Sequence, residues 1–161
     1  MQQIKLEKLD PEDWSDIKVE YFGGSSSFKT YNDILVIKYI GKHGIGAAGN
    51  GDAQYMYAKG EFGLDIFEPS GVILDFQELD YVWGDMLELV FDVGAYKSIN
   101  IEFPKALVIG DNCAKAIGTL IHGIDSKESA TTKEWIFDNF EEAWRYVDGK
   151  ISKKSFDVLK L

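Results

Sequence analysis

Apolar runs and amphipathic segments alternate along the chain from residue 34 onward. Residues 34–40 (ILVIKYI) and 72–76 (VILDF) are almost continuous apolar runs rich in β-branched side chains. Such runs predict strands that are buried on both faces of a sheet. Residues 106–109 predict a third core strand, and residues 134–137 predict a short fourth one.

In the segments between these strands, apolar residues recur every three or four positions, which predicts amphipathic helices. The first predicted helix covers 52–67, with an inward stripe of Tyr55, Met56, Phe62 and Ile66. The second begins at Asp85, with an inward stripe of Met86, Leu89, Val90 and Val93. The third follows residue 112, with inward Cys113, Ala116, Ile117, Leu120 and Ile121. Asp138 and Glu141 resemble a capping box for the last helix, whose stripe is Phe140, Ala143, Trp144 and Val147.

This alternation predicts the fold class α/β, with a mixed or mostly parallel sheet and helices packed against it. The length of 161 residues is close to the most common size of one domain. We therefore expect a single domain over 1–161, with a core at 34–149 and an N-terminal extension at 1–33. The C-terminal tail, 150–161, fits either a short helix or an added strand.

The charge balance limits the classes of partner. The chain carries 27 acidic and 17 basic residues, a net charge of −10. Nucleic acids and anionic membranes both need a basic face, so neither is an expected partner. One cysteine and two histidines make neither an internal disulfide nor a zinc cluster, so no cofactor or metal is predicted. The sequence shows no signal-peptide core, which favours a cytoplasmic protein.

The acidic residues are concentrated in one part of the chain. Between Lys59 and Lys97 there is no basic residue, and the interval holds nine acids: Glu61, Asp65, Glu68, Asp75, Glu78, Asp80, Asp85, Glu88 and Asp92. Two aromatic residues follow the core strand 72–76, at the sheet end where α/β folds carry functional loops. Aromatic residues that are surrounded by acidic residues alone are typical of an interface with a basic protein. The predicted interface consists of Asp80, Tyr81, Trp83, Asp85, Glu88 and Asp92.

Two alternatives to this interface stay open. The acids could be an ordinary solvated face, and Trp83 could be a core residue beneath the second helix. A different site is the loop of Gly44, Gly46 and Gly49, a literal G-x-G-x-x-G that could hold a nucleotide, with His43 or Asp75 as polar partner. However, Asp75 lies 31 residues after Gly44, where about 20 are expected, so a flexible surface loop with an exposed His43 is favoured.

Catalytic groups are scarce in the sequence. His43 and His122 are the two histidines of the chain, the residue type most often used as a general base near neutral pH. Neither stands in a recognisable arrangement with a nucleophile, and Cys113 falls on the apolar stripe of its helix, which favours an inert thiol. The sequence therefore predicts no catalytic residue.

Three stretches resemble parts of the STAS domain, the fold of bacterial anti-sigma-factor antagonists. They are 71–87 (GVILDFQELDYVWGDML), 103–111 (FPKALVIGD) and 136–147 (IFDNFEEAWRYV). The resemblance implies a non-enzymatic regulator that docks on a partner protein. Kinase-controlled members carry a phosphorylatable Ser or Thr at the start of the helix after the central strand. The corresponding residues here are Trp83, Gly84 and Asp85, so a kinase switch of that kind is not expected.

Together these features predict an acidic protein-binding module that regulates or inhibits a basic partner protein. It would be either an immunity protein against a cognate toxin or a regulator of the anti-sigma-antagonist type, whose partner is a regulatory kinase or anti-sigma factor. The alternative is a small nucleotide-binding domain or enzyme that uses the loop at 44–49. The oligomeric state is left open.

Overall fold

The computed structural model of the protein describes residues 2–28 and 31–160. Within them, five strands form one sheet: β1 Lys18–Gly24, β2 Ile34–Lys42, β3 Gly71–Asp80, β4 Lys105–Ile109 and β5 Ile136–Phe137. Four α-helices connect or follow the strands: α1 Asn50–Phe67, α2 Glu88–Phe91, α3 Ala114–His122 and α4 Phe140–Leu159.

The sheet is mixed and mostly parallel. Its strands lie in the order β1-β2-β3-β4-β5. β1 pairs antiparallel with β2, whereas β2, β3, β4 and β5 are parallel to their neighbours. The predicted fold class is therefore confirmed. Within the expected extension at 1–33, residues 18–24 form the edge strand of this sheet.

Helices cover both faces of the sheet. Leu35, Leu74 and Leu107 belong to a core that also includes buried residues from α1, α2 and α3. On the opposite face, Ile34 and Ile73 pack against α4. Strands that are buried on both sides cannot alternate apolar and polar residues, which explains the continuous apolar runs in the sequence.

The inward face of α1 differs in part from the prediction. Tyr55 and Met56 are buried as expected, but Phe62 and Ile66 are more than half exposed, so the predicted stripe is wrong at these two positions. Beyond Met56 the inward face continues instead through Gly60, Gly63 and Leu64, which are buried.

Close packing explains why two glycines face the core. A Cβ atom at Gly60 would lie 2.6 Å from the Val93 side chain, and one at Gly63 would lie 2.6 Å from the Tyr21 ring. Glycine lowers intrinsic helix propensity by about 1 kcal/mol relative to alanine. At these positions, however, any larger side chain would push the neighbouring element away from the helix.

The second predicted helix is shorter and wound differently. Residues 85–87 form a 3₁₀ turn that leads into α2, which has only four residues. The fully buried positions are Leu87, Val90 and Val93, spaced every three residues, whereas Met86 and Leu89 are only half-buried. The predicted stripe is thus wrong at Met86 and Leu89, because the tighter turn rotates different side chains inward.

The last helix is longer than predicted and begins one residue later than the predicted cap indicates. Asn139, rather than Asp138, caps α4, because its side-chain oxygen accepts a hydrogen bond from the Glu142 N–H at 3.1 Å. Trp144 is half-buried rather than buried, with its ring against the backbone of Gly24. The chain after residue 149 continues the helix to Leu159.

Candidate functional site

A groove of about 710 Å³ opens at the carboxyl ends of β3 and β4. One wall is formed by the residues that follow β3, from Tyr81 to Glu88, and the other by residues 111–124, which include α3. We call this the acidic groove, because three carboxylates line it: Asp85, Glu88 and Asp111. Lys115 is the basic side chain in its lining.

Three apolar side chains in the lining of the acidic groove are exposed to solvent. Trp83 is 56% exposed, Val82 is 64% exposed and Ile124 is 83% exposed. The alternative that Trp83 is a core residue beneath α2 is therefore wrong. An exposed indole beside carboxylates is the arrangement that the interface prediction requires.

The loop that carries Trp83 is held by hydrogen bonds and close packing. The Gly46 N–H donates to the Trp83 carbonyl at 2.9 Å, and the Tyr81 hydroxyl donates to the Gly84 carbonyl at 2.8 Å. Gly46 has a positive φ of 61°, and a Cβ atom there would lie 2.6 Å from the Trp83 ring. Tyr81 is only 3% exposed, so it forms part of the groove floor and positions the loop.

The glycine loop at 44–49 packs against the segment that carries Trp83 and helps to hold it in place. Its Gly44 N–H donates to the Asp52 carboxylate at 2.7 Å, so both this amide and that of Gly46 already have partners inside the protein. Residues 46–49 form one 3₁₀ turn in which Gly46 and Gly49 are buried. Ile45, Ala47 and Ala48 of the same loop are exposed, so the loop lies at the surface with these two glycines turned inward.

His43 is buried beneath the same loop. Its side chain is 1% exposed, contrary to the expectation of an exposed histidine. Its Nδ1–H donates to the Gly44 carbonyl at 2.7 Å, and its ring meets the Tyr81 ring edge-on at 5.3 Å. The Nε2 atom is buried without a hydrogen-bond partner among the described residues. These contacts give His43 a packing role under Tyr81.

The predicted interface residues are distributed unevenly around the acidic groove. Trp83, Asp85 and Glu88 line it. Asp92 is exposed and lines an adjoining hollow of about 560 Å³, which Asp85 and Glu88 share. Asp80 is exposed at the end of β3, outside the lining of the groove.

The second wall of the groove was not predicted from the sequence. Asp111 and Asn112 directly follow β4, and Thr119, Leu120 and Ile124 come from α3 and the segment after it. One signal was available in the sequence. Residues after adjacent parallel strands meet at the same sheet edge, so a polar pair after the strand at 106–109 could have been placed beside Tyr81.

Comparisons with known proteins give a fold likeness. No family model and no curated protein matches the chain. Its fold is similar to that of an anti-sigma factor antagonist from Mycobacterium paratuberculosis. That structure aligns with a TM-score of 0.49 and 13% sequence identity, over 82% of this chain and 94% of the other.

The other reactive side chains are occupied or buried. Cys113 is buried at the start of α3, and burial raises the pKa of its thiol to about 11. The Nε2 atom of His122 contacts the Ser129 carbonyl at 3.1 Å and the Thr132 hydroxyl at 2.9 Å. Within residues 2–28 and 31–160, no cluster of three metal-ligating side chains occurs.

None of the helices described is both long and apolar enough to cross a bilayer.

Asp75 lies inside the sheet rather than beside the glycine loop. Its backbone is paired with Lys38 of β2 and Val108 of β4, and its carboxylate accepts a hydrogen bond from the Gln77 N–H at 2.9 Å. Burial raises the pKa of this carboxyl above its ordinary value of 3.8, although the Gln77 amide and Lys38 oppose the shift. Folding therefore favours the protonated form of Asp75 more than the unfolded chain does.

We expect the difference in free energy of unfolding between the native protein and the Asp75→Asn variant to depend on pH. The stability that protonated Asp75 contributes is fully present below pH 3.8 and is lost as the pH rises through the higher folded-state pKa. The asparagine stays neutral, and its oxygen can still accept from Gln77. The native protein should thus lose stability relative to the variant as the pH is raised to neutrality, measured by urea unfolding at several pH values. Parallel stability curves for the two proteins would contradict the expectation.

Proposed function

We propose that the protein is a non-enzymatic module that binds a basic partner protein in the acidic groove. The observation that carries the proposal is an exposed Trp83 flanked by Asp85 and Glu88 in a groove that is already formed. An indole supplies a large apolar contact, and carboxylates attract lysine and arginine side chains of the partner. Because the loop is held by Gly46 and Tyr81, little ordering cost is expected on binding.

A solvated acidic face would not need the apolar part of this surface. Carboxylates alone keep a protein in solution, but Val82, Trp83 and Ile124 expose apolar area next to them. Exposed apolar patches rimmed by polar groups are typical of interaction sites. The combination favours an interface over simple solvation.

Two biological versions of this function are compatible with a basic partner. The protein could be an immunity protein that blocks a cognate toxin, or a regulator of the anti-sigma-antagonist type. Toxins that bind nucleic acid must themselves be basic, which suits an acidic inhibitor. No hydroxyl occurs at residues 83–85. The lack of a hydroxyl at these three positions favours the immunity version.

The negative charge in and around the acidic groove can be tested on association kinetics. After affinity capture of the partner, the four exposed acids Asp80, Asp85, Glu88 and Asp92 would be changed together to Asn or Gln. We expect association at low salt to slow by about tenfold or more and its salt dependence to flatten, because these charges steer the encounter. The dissociation rate and the free energy of unfolding should change little.

A matched control removes the same charge elsewhere. Four exposed acids outside the groove would be neutralised in the same way: Glu7, Asp13, Asp138 and Asp157. This variant has the same net charge as the first, and we expect it to associate nearly as fast as the native protein. If both variants slowed association equally, net charge rather than the groove would control the encounter, and the proposed site would be wrong.

A further inference from the structure

A second groove lies at the opposite end of the sheet, near the amino ends of β3 and β4. It has a volume of about 600 Å³, within the range of small-molecule sites. Its walls are Pro69 and Ser70 before β3, residues 97 and 103 before β4, and the C-terminal half of α4. Phe28, which follows β1, closes one side. We call it the basic groove.

The floor of the basic groove is apolar. Phe103 and Ile151 are 6% and 3% exposed, and Pro69 is buried. At the rim, Phe28 and Leu159 are 45% and 77% exposed. The apolar floor therefore continues into an apolar rim that faces water, and an occupant with an apolar chain would remove this surface from water.

Two lysines stand at this apolar surface without an acidic partner. Lys97 and Lys154 line the groove, and neither forms an ion pair with any residue that the structure describes. The Lys97 ammonium lies 5.8 Å from the centre of the Phe103 ring, directly beside the floor.

We propose that the basic groove binds a carboxylate that carries an apolar chain. The two ammonium groups supply charge complementary to the carboxylate, and the floor of Pro69, Phe103 and Ile151 supplies the surface for the chain. This site is separate from the acidic groove, which lies at the carboxyl ends of the strands, and it does not depend on the proposed protein partner.

The test is an NMR titration of the full chain with decanoate, below the concentration at which decanoate forms micelles. We expect saturable shifts at one site, centred on the amides of Ser70, Lys97, Ile151 and Lys154. Decanol, which has the chain without the charge, and butyrate, which has the charge without the chain, should each bind at least about tenfold more weakly.

Three variants separate the lysines from general charge effects. Changing Lys97 and Lys154 together to Gln should weaken decanoate binding by about tenfold, whereas changing both to Arg should preserve it. Lys153→Gln is the matched control, because Lys153 is exposed on the same helix and is not part of the groove lining. Urea unfolding of each variant verifies that it is folded.

Several results would overturn the proposal. One is no saturable shift, or shifts centred on the acidic groove. Another is equal loss of affinity in Lys153→Gln and in the double Gln variant. A third is a salt-sensitive dimer of the native chain that protects the same amides and excludes decanoate, which would assign the basic groove to a second copy of the protein.

Discussion

The Trp83→Ala variant is expected to bind the captured partner about 30-fold more weakly, a loss of about 2 kcal/mol. The reason is that Trp83 is an exposed aromatic side chain in the lining of the acidic groove, and burial of such an anchor slows dissociation more than it speeds association. Surface plasmon resonance on immobilised partner measures both rates. The loss should appear mainly as faster dissociation, in contrast to the effect of neutralising the acids.

Trp14 provides the matched control for this variant. It is 63% exposed and lies on the 3₁₀ turn before β1, away from the acidic groove. Trp14→Ala should leave binding within about twofold of the native value. If Trp83→Ala were folded and bound normally while Trp14→Ala lost binding, the interface would lie near the N-terminal turn instead.

Truncation of Phe76 to alanine is expected to lower the free energy of unfolding by about 3–5 kcal/mol. Phe76 lies in β3 with no exposed surface, and its ring meets the Tyr39 ring edge-on at 5.4 Å. Removing it leaves a cavity between the sheet and the helices that the rigid strands can fill only in part. Urea unfolding at neutral pH gives the difference directly.

The same substitution at Phe62 tests the orientation of α1. Phe62 is 52% exposed and lies 6.4 Å from the Tyr21 ring. Phe62→Ala should therefore cost less than about 1 kcal/mol. A cost as large as that of Phe76→Ala would mean that Phe62 faces the core, as the spacing of apolar residues in the sequence predicted.

The sequence predicted the buried strands β2, β3 and β4 well because their burial produces continuous apolar runs, whereas the edge strand β1 was not predicted. Residues 34–40 and 72–76 must be apolar on both sides when helices cover both faces of the sheet, so each run is visible without any knowledge of its neighbours. For helix α1 the hydrophobic pattern was less informative. Its core-facing positions include Gly60 and Gly63, and a pattern based on hydrophobicity assigned that face to Phe62 and Ile66 instead.

The acidic interval was equally visible, because charge is a property of composition. The absence of any basic residue between Lys59 and Lys97 follows from the sequence alone, and it led to the prediction that Trp83 belongs to an interface. What the sequence could not decide was whether Trp83 was exposed. That depends on the Gly46 backbone, which lies against the ring and accepts no side chain there.

Only the tertiary structure assembled the acidic groove. Its two walls come from residues 81–88 and 111–124, which the parallel pairing of β3 and β4 brings to one edge of the sheet. Likewise, Lys97 and Lys154 meet at the basic groove because α4 crosses back over the sheet to the amino ends of the strands. The chain by itself determined which segments are buried and which are charged, since both follow from local side-chain chemistry. The grooves needed the fold, because they depend on distances between segments that are far apart in the sequence.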